Sequence, residues 1–135
     1  MTNHNTGVTV TFFQVQTPKE KLERLLRTAH SHFDKKSPLL ILTDSSKTTE
    51  YIDKLLWSFP TDSFLPHGPL ELITVTENFE TYEGTALFNL TTHPLLNSHL
   101  KTLYEYEDLT SPDKSASFKP RYTAYSTAGY RIVSL

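Results

Sequence analysis

Cysteine is absent from the 135-residue sequence, and glycine is rare, with only four in the whole chain. Without cysteine there is no disulfide framework, thiolate zinc site, iron–sulfur cluster or cysteine nucleophile. The scarcity of glycine matters because a phosphate-binding loop needs glycines where backbone N–H groups approach the phosphates. The Lys47-Thr48 pair is similar to the end of such a loop, but the residues between the strand-like run 39–42 and Lys47 include no glycine. The sequence therefore does not predict a nucleotide site.

Strong net charge and long apolar runs are also missing. The 13 Lys and Arg residues nearly balance the 15 Asp and Glu residues, which leaves a net charge of -2. This balance argues against a strongly basic nucleic-acid binder. No apolar run approaches the roughly 20 residues of a membrane span, and residues 1–7 lack the cations of a signal peptide. We expect a cytoplasmic protein in which residues 1–135 form a single α/β domain.

Signatures of catalysis and metal binding are missing as well. The six histidines have no metal-ligand spacing, and the sequence contains neither H-E-x-x-H nor G-x-S-x-G. Asp44 follows an apolar strand-like run, where a catalytic acid could sit, but the sequence identifies no partner for it. We expect no catalytic residue, no metal and no cofactor.

Apolar periodicity predicts strands and helices that alternate along most of the chain. Strands are predicted at 8–16, 39–42, 70–76, 85–91 and 102–107. Helices are predicted at 17–36, 45–60, 93–101, from 111, and at 119–128. Such alternation favours a three-layer α/β fold with a mainly parallel or mixed sheet and helices on both faces. The fold would be Rossmann-like without a phosphate loop.

A cluster of aromatic and proline residues follows the second predicted helix. It consists of Trp57, Phe59, Pro60, Phe64, Leu65 and Pro66. Trp57 follows the inward pair Leu55-Leu56, and helical geometry therefore turns it away from the core. Rigid aromatic side chains on a stiff, partly exposed segment are typical of a protein–protein hot spot. A secondary hydrophobic cluster that covers the sheet edge is the alternative interpretation.

The segment 114–131 carries four cations and no carboxylate, although the chain as a whole is negative. Its cations are Lys114, Lys119, Arg121 and Arg131, and the aromatic residues among them are Phe118, Tyr122, Tyr125 and Tyr130. Cations beside aromatic rings can hold an acidic peptide end or a nucleic-acid backbone. The alternative is an amphipathic helix whose charges are merely solvated.

Two motifs in these segments resemble the chi subunit family of bacterial DNA polymerase III. The stretch 55–67, LLWSFPTDSFLPH, is similar to the family's L-W-x-x-P-x-x-S-F-[VL]-P-H. The stretch 121–130, RYTAYSTAGY, is similar to R-Y-x-A-Y-x-x-A-G-[FY]. The resemblance implies a non-catalytic adaptor of the polymerase holoenzyme, with a nucleotide-binding type of fold that has lost its phosphate loop.

The resemblance also implies two partner-binding faces. One would bind a psi-type subunit and tether the protein to the clamp loader, through Trp57, Pro60, Phe64 and Pro66. The other would bind the acidic C-terminal tail of single-stranded DNA-binding protein, which ends in Pro-Phe, through Lys119, Arg121 and Tyr122. DNA would be reached only indirectly, and the protein would be a monomer or a heterodimer.

The chain departs from the family pattern at three neighbouring positions. Lys119 stands where Arg is usual, Thr123 stands where Lys is common, and Pro120 interrupts a helix that is normally continuous. The first two changes are expected to weaken tail binding, because Lys lacks the bidentate fork of Arg and Thr lacks the positive charge of Lys. Two other functions stay open: an adaptor for a helicase or DNA-repair protein through the same 57–66 face, and an α/β enzyme.

Overall fold

The structure is a computed structural model that describes residues 7–58, 72–80, 82–97 and 99–135, without the side chains of Trp57 and Ser58. Its strands are β1 (Thr9–Val15), β2 (Leu39–Leu42), β3 (Ile73–Thr76), β4 (Ala86–Asn89), β5 (Thr102–Asp108) and β6 (Arg131–Ser134). Its helices are α1 (Pro18–Asp34), α2 (Ser46–Ser58), α3 (Pro112–Ala116) and α4 (Phe118–Thr127).

The six strands form one sheet in the order β3-β2-β4-β5-β1-β6, and every pairing is parallel. One face of the sheet packs against α1 and α2 in one apolar cluster. The other face packs against α4 and the segment that precedes β5 in a second cluster. The predicted three-layer α/β fold is confirmed. Because β5 and β4 separate β1 from β2, the helices that follow β1 and β2 are held apart at the carboxyl edge of the sheet.

Two reciprocal hydrogen bonds cap the start of α1. The Glu20 N–H donates to Thr17 Oγ1 at 3.1 Å, and Pro18 occupies the first turn. The Glu20 carboxylate in turn accepts from the Gln16 N–H at 2.7 Å. Both bonds satisfy donors that have no acceptor within the helix. They fix the point at which the chain turns from β1 onto the sheet face.

The prediction of a helix over 93–101 is wrong, since the described residues of this segment form bends, a turn and irregular chain. Pro94 lacks an N–H and disfavours helical geometry at the residue before it. Side chains satisfy the backbone instead: Asn89 Nδ2 donates to the His93 carbonyl at 2.8 Å, and the Leu95 N–H donates to the Tyr125 hydroxyl at 2.9 Å. The segment thereby covers the second core cluster without forming a helix.

The sequence patterns also miss the last strand, β6. Gly129, with φ +82°, ends the helical turn after α4 as predicted, and the chain then returns beside β1. β6 has only four residues and lies at the edge of the sheet, where its first and last side chains are exposed and the two between them are partly buried. Such a short edge strand carries little hydrophobic alternation from which to predict it.

Candidate functional site

The cationic segment 114–131 forms α3, α4 and the start of β6. The expected interruption lies at Ser117, between the two helices, and Pro120 is the third residue of α4. Proline is tolerated there because N–H groups in the first turn have no acceptor within the helix. α4 therefore begins before the proline, and Lys119 and Tyr122 lie on the same short helix.

Tyr122 forms the exposed part of an aromatic surface on α4. Its side chain is 40% exposed, and its ring centroid lies 6.1 Å from that of Phe12 and 5.6 Å from that of Phe118. Phe12 and Phe118 make an edge-to-face contact at 4.9 Å beneath it. Lys119 is exposed one turn earlier and has no ion pair within the described residues. A free cation thus lies beside an open aromatic wall.

Arg121 does not share this exposure, although it lies between Lys119 and Tyr122 in the sequence. It is 4% exposed, and its guanidinium is ion-paired with the Glu105 carboxylate on β5. Further bonds run to the Tyr106 carbonyl at 3.2 Å and the Ser117 carbonyl at 3.1 Å. The Arg121 guanidinium therefore points into the protein towards β5, and a contact of Arg121 with the acidic tail stays a prediction.

Glu105 is the centre of this buried polar network, and its exposure is 0%. Its carboxylate accepts hydrogen bonds from Arg121, from the Tyr125 hydroxyl, and from Asn89 Nδ2 at 2.8 Å. Burial raises the pKa of Glu105 to about 7, against the attraction of Arg121 and the hydrogen bonds it accepts. Burial likewise raises the pKa of Tyr125. The network joins β4, β5 and α4 through a single carboxylate.

Glu105 lies within the predicted strand 102–107, but the sequence motifs do not single it out. The signal that could have found it is the period of two along a strand. Leu103 and Glu105 lie on the same face, and Leu103 is fully buried. A carboxylate on a core-facing position calls for a buried cation, and Arg121 meets that requirement.

A cleft of about 400 Å³ opens at the carboxyl edge of the sheet, between α1 and α2. Its walls include Pro18, Leu22, Thr48, Leu55, Asn89 and Asp108. Lys21 Nζ lies 2.7 Å from Asp108 Oδ2 at its rim. Burial opposes the charge of Asp108, but hydrogen bonds from Lys21 and Thr110 hold its pKa below the usual value. Ligands of α/β folds bind at such edges, but no glycine-rich phosphate loop lines this cleft.

Asp44, the possible catalytic acid, is exposed at the same edge. The described residues contain no group of three His, Asp or Glu side chains placed to hold a metal ion. None of the helices in the described ranges has the length and hydropathy that a membrane span requires.

The residues predicted to bind a psi-type subunit lie largely outside the described part of the chain. Trp57 belongs to α2, but its side chain is not described, and Pro60, Phe64 and Pro66 lie beyond residue 58. Their role stays a prediction.

Comparison with protein families decides the wider assignment. Residues 8–133 of the 135-residue chain match the family described as DNA polymerase III chi subunit, HolC. The chain belongs to this chi subunit family. It is therefore an accessory subunit of DNA polymerase III, and the resemblance carried by the two motifs is confirmed at the level of the family. A comparison with curated protein sequences gave no match.

Proposed function

We propose that this chi-family protein is a non-catalytic adaptor of the replisome. Through a psi-type partner it would link the clamp loader to the C-terminal tail of single-stranded DNA-binding protein. The observation that carries the proposal is that Lys119, which is exposed and has no ion pair among the described residues, lies one turn from the exposed ring of Tyr122 on α4. Membership of the chi family supports the replicative setting.

The chemistry of this surface suits a peptide that ends in Pro-Phe with a free carboxylate. The Lys119 ammonium can donate charge-assisted hydrogen bonds to the terminal carboxylate. The exposed ring of Tyr122, with Phe118 beside it and the buried Phe12 beneath, offers a surface against which the terminal Phe ring packs. The tail is an anion, and binding is therefore expected to weaken as salt increases.

The affinity of a single tail is expected to be only micromolar. The surface is small, and one lysine replaces the bidentate contact of an arginine. Single-stranded DNA-binding protein assembled on DNA presents several tails, and avidity would strengthen the attachment without a new contact. DNA itself is reached only through this partner in our proposal.

The second face of the adaptor is the segment 57–66, with Trp57, Pro60, Phe64 and Pro66 as the residues that bind the psi-type subunit. This assignment is supported by the motif and by family membership. We further propose that residues 1–135 act as one domain in the cytoplasm, as a monomer or in a heterodimer with that subunit. A helicase or repair protein that uses the same face is the alternative partner.

Isothermal titration calorimetry tests the tail-binding half of the proposal. The protein is titrated with an acidic peptide that ends in Pro-Phe, and with the same peptide amidated at its C-terminus, at two salt concentrations. We expect micromolar binding of the free acid, and a loss of roughly tenfold or more on amidation, because a charged hydrogen bond is removed. Equal affinity for the two peptides, or no binding of either, would overturn the proposal.

A further inference from the structure

We propose that Glu105 is a positioning residue for the tail-binding surface, because it fixes the rotation of α4 that presents Lys119 and Tyr122. The inference rests on the proposed function, since it concerns the binding of the acidic tail. It assigns a role in partner binding to a fully buried carboxylate on a central strand, which lies outside the two sequence motifs but contacts Arg121 and Tyr125 of the second.

Two side chains of α4 contact the Glu105 carboxylate from successive turns of the helix. Arg121 and Tyr125 are four residues apart on α4 and therefore lie on one face of the helix, one turn apart. Both side chains end on Glu105: the Arg121 guanidinium contacts Oε1, and the Tyr125 hydroxyl contacts Oε2. Two contacts from successive turns to one carboxylate define how the helix is rotated about its axis. That rotation determines where the neighbouring Tyr122 points.

Few other directional bonds of α4 to the sheet, among the described residues, set this rotation. The helix has ten residues, and no side chain caps its start. Arg121 also donates to the Tyr106 carbonyl on β5 at 3.2 Å, and Phe118 makes an edge-to-face contact with Phe12. An apolar contact of this kind is not directional in the way that a charged hydrogen bond is. Phe118 therefore holds α4 against the sheet but defines its rotation less sharply.

Glu105 is itself held in place from the sheet side. Its strand, β5, lies between β4 and β1. Asn89 at the end of β4 donates to Glu105 Oε2 at 2.8 Å. Asn89 also donates to the His93 carbonyl, and the Leu95 N–H bonds to Tyr125. The carboxylate is a stationary acceptor on the sheet, and α4 is the element that it orients.

Tyr125→Phe is the sharpest test, because it removes the hydroxyl that donates to Glu105, leaves the ring and creates no unpaired charge. The same hydroxyl accepts from the Leu95 N–H, and two hydrogen bonds are therefore lost. We expect the affinity for the acidic Pro-Phe peptide to fall roughly two- to tenfold, the range set by the bond to Glu105. The matched control is Tyr82→Phe, which removes a hydroxyl that donates to the Ala86 carbonyl at 2.7 Å, outside the Glu105 network. We expect Tyr82→Phe to lower thermal stability and to leave peptide affinity within about twofold.

A double-mutant cycle separates positioning from general stability. If Glu105 acts through Tyr122, then Tyr125→Phe has little further effect on peptide affinity once Tyr122→Ala has been made. Glu105→Gln, studied below its unfolding temperature, should show the same dependence on Tyr122. Independent, additive effects in the cycle would overturn the inference, as would unchanged peptide affinity in Tyr125→Phe.

Titration of the wild-type protein distinguishes a failure of the positioning role of Glu105 from a failure of the proposed function. If the wild-type protein binds the peptide and Tyr125→Phe binds it equally well, the positioning role is wrong and the proposed function stands. If the wild-type protein does not bind the peptide, the proposed function fails and this inference fails with it.

Discussion

Removal of the Arg121 side chain should cost far more stability than its place in a cationic surface segment suggests. Its side chain is 5% exposed and that of Glu105 is 0% exposed, so solvent does not screen the pair. Removing one partner of a buried ion pair leaves the other charge unpaired and typically costs about 3–5 kcal/mol. We therefore expect Arg121→Met to lower the free energy of unfolding by about that amount. A domain typically has a total free energy of unfolding of roughly 5–15 kcal/mol, and this is therefore a severe loss.

Urea unfolding followed by circular dichroism measures this effect, with the double variant Arg121→Met/Glu105→Leu as the control. The double variant removes both charges, and its loss should be much smaller, because apolar replacement of a whole buried pair is often neutral or stabilising. The reasoning is refuted if Arg121→Met alone costs less than about 1 kcal/mol, the value typical of an exposed ion pair. Equal losses in the single and double variants would also contradict it.

Three further predictions concern the pH dependence and the two proposed binding surfaces. Burial lowers the pKa of His32, whose Nε2 lies 2.7 Å from the Tyr104 hydroxyl. Neutral His32 therefore stabilises the fold above a pH of about 6.5, the pKa of histidine in the unfolded chain, and this stabilisation is lost as the pH falls below that value. Urea titrations at pH 7.5 and 5.5 should show a larger loss for the wild type than for His32→Gln, and equal losses would contradict the assignment. Lys119→Glu should weaken binding of the acidic peptide at least tenfold, whereas Lys47→Glu on α2 should not, and calorimetry that finds both variants alike would refute the site. Phe64→Ala should abolish co-purification with a psi-type subunit while the circular dichroism spectrum stays native, and an unfolded variant would instead place Phe64 in the core.

The sequence was sufficient to predict the layers of the fold, because they follow from strong local signals. The buried strand 39–42 was predicted as the structure has it, and the start of α1 was predicted to within one residue. The errors fall where local signals are weak or are overridden. The segment 93–101 has helix-like leucine spacing, but hydrogen bonds to Asn89 and Tyr125 hold it in an irregular conformation. Those bonds come from β4 and α4, and no local pattern reveals them.

At the candidate site, too, the sequence indicates which residue types are present but not where their side chains point. The sequence showed that cations and aromatic rings are concentrated in 114–131, but not which way each points. Helical spacing holds part of the answer, since Phe118, Arg121 and Tyr125 recur at intervals of three and four and face the sheet. The pairing of Arg121 with Glu105 depends on how α4 packs over β5, and this tertiary contact could not be predicted from either segment alone.

Nuclear magnetic resonance of the ¹⁵N-labelled protein, titrated with the acidic Pro-Phe peptide, tests the central claim most directly. The account predicts that the largest shifts lie on the exposed side of α4, at Lys119 and Tyr122, and on the neighbouring part of β1 around Phe12. Shifts confined to the cleft between α1 and α2, or no shifts at millimolar peptide, would contradict it.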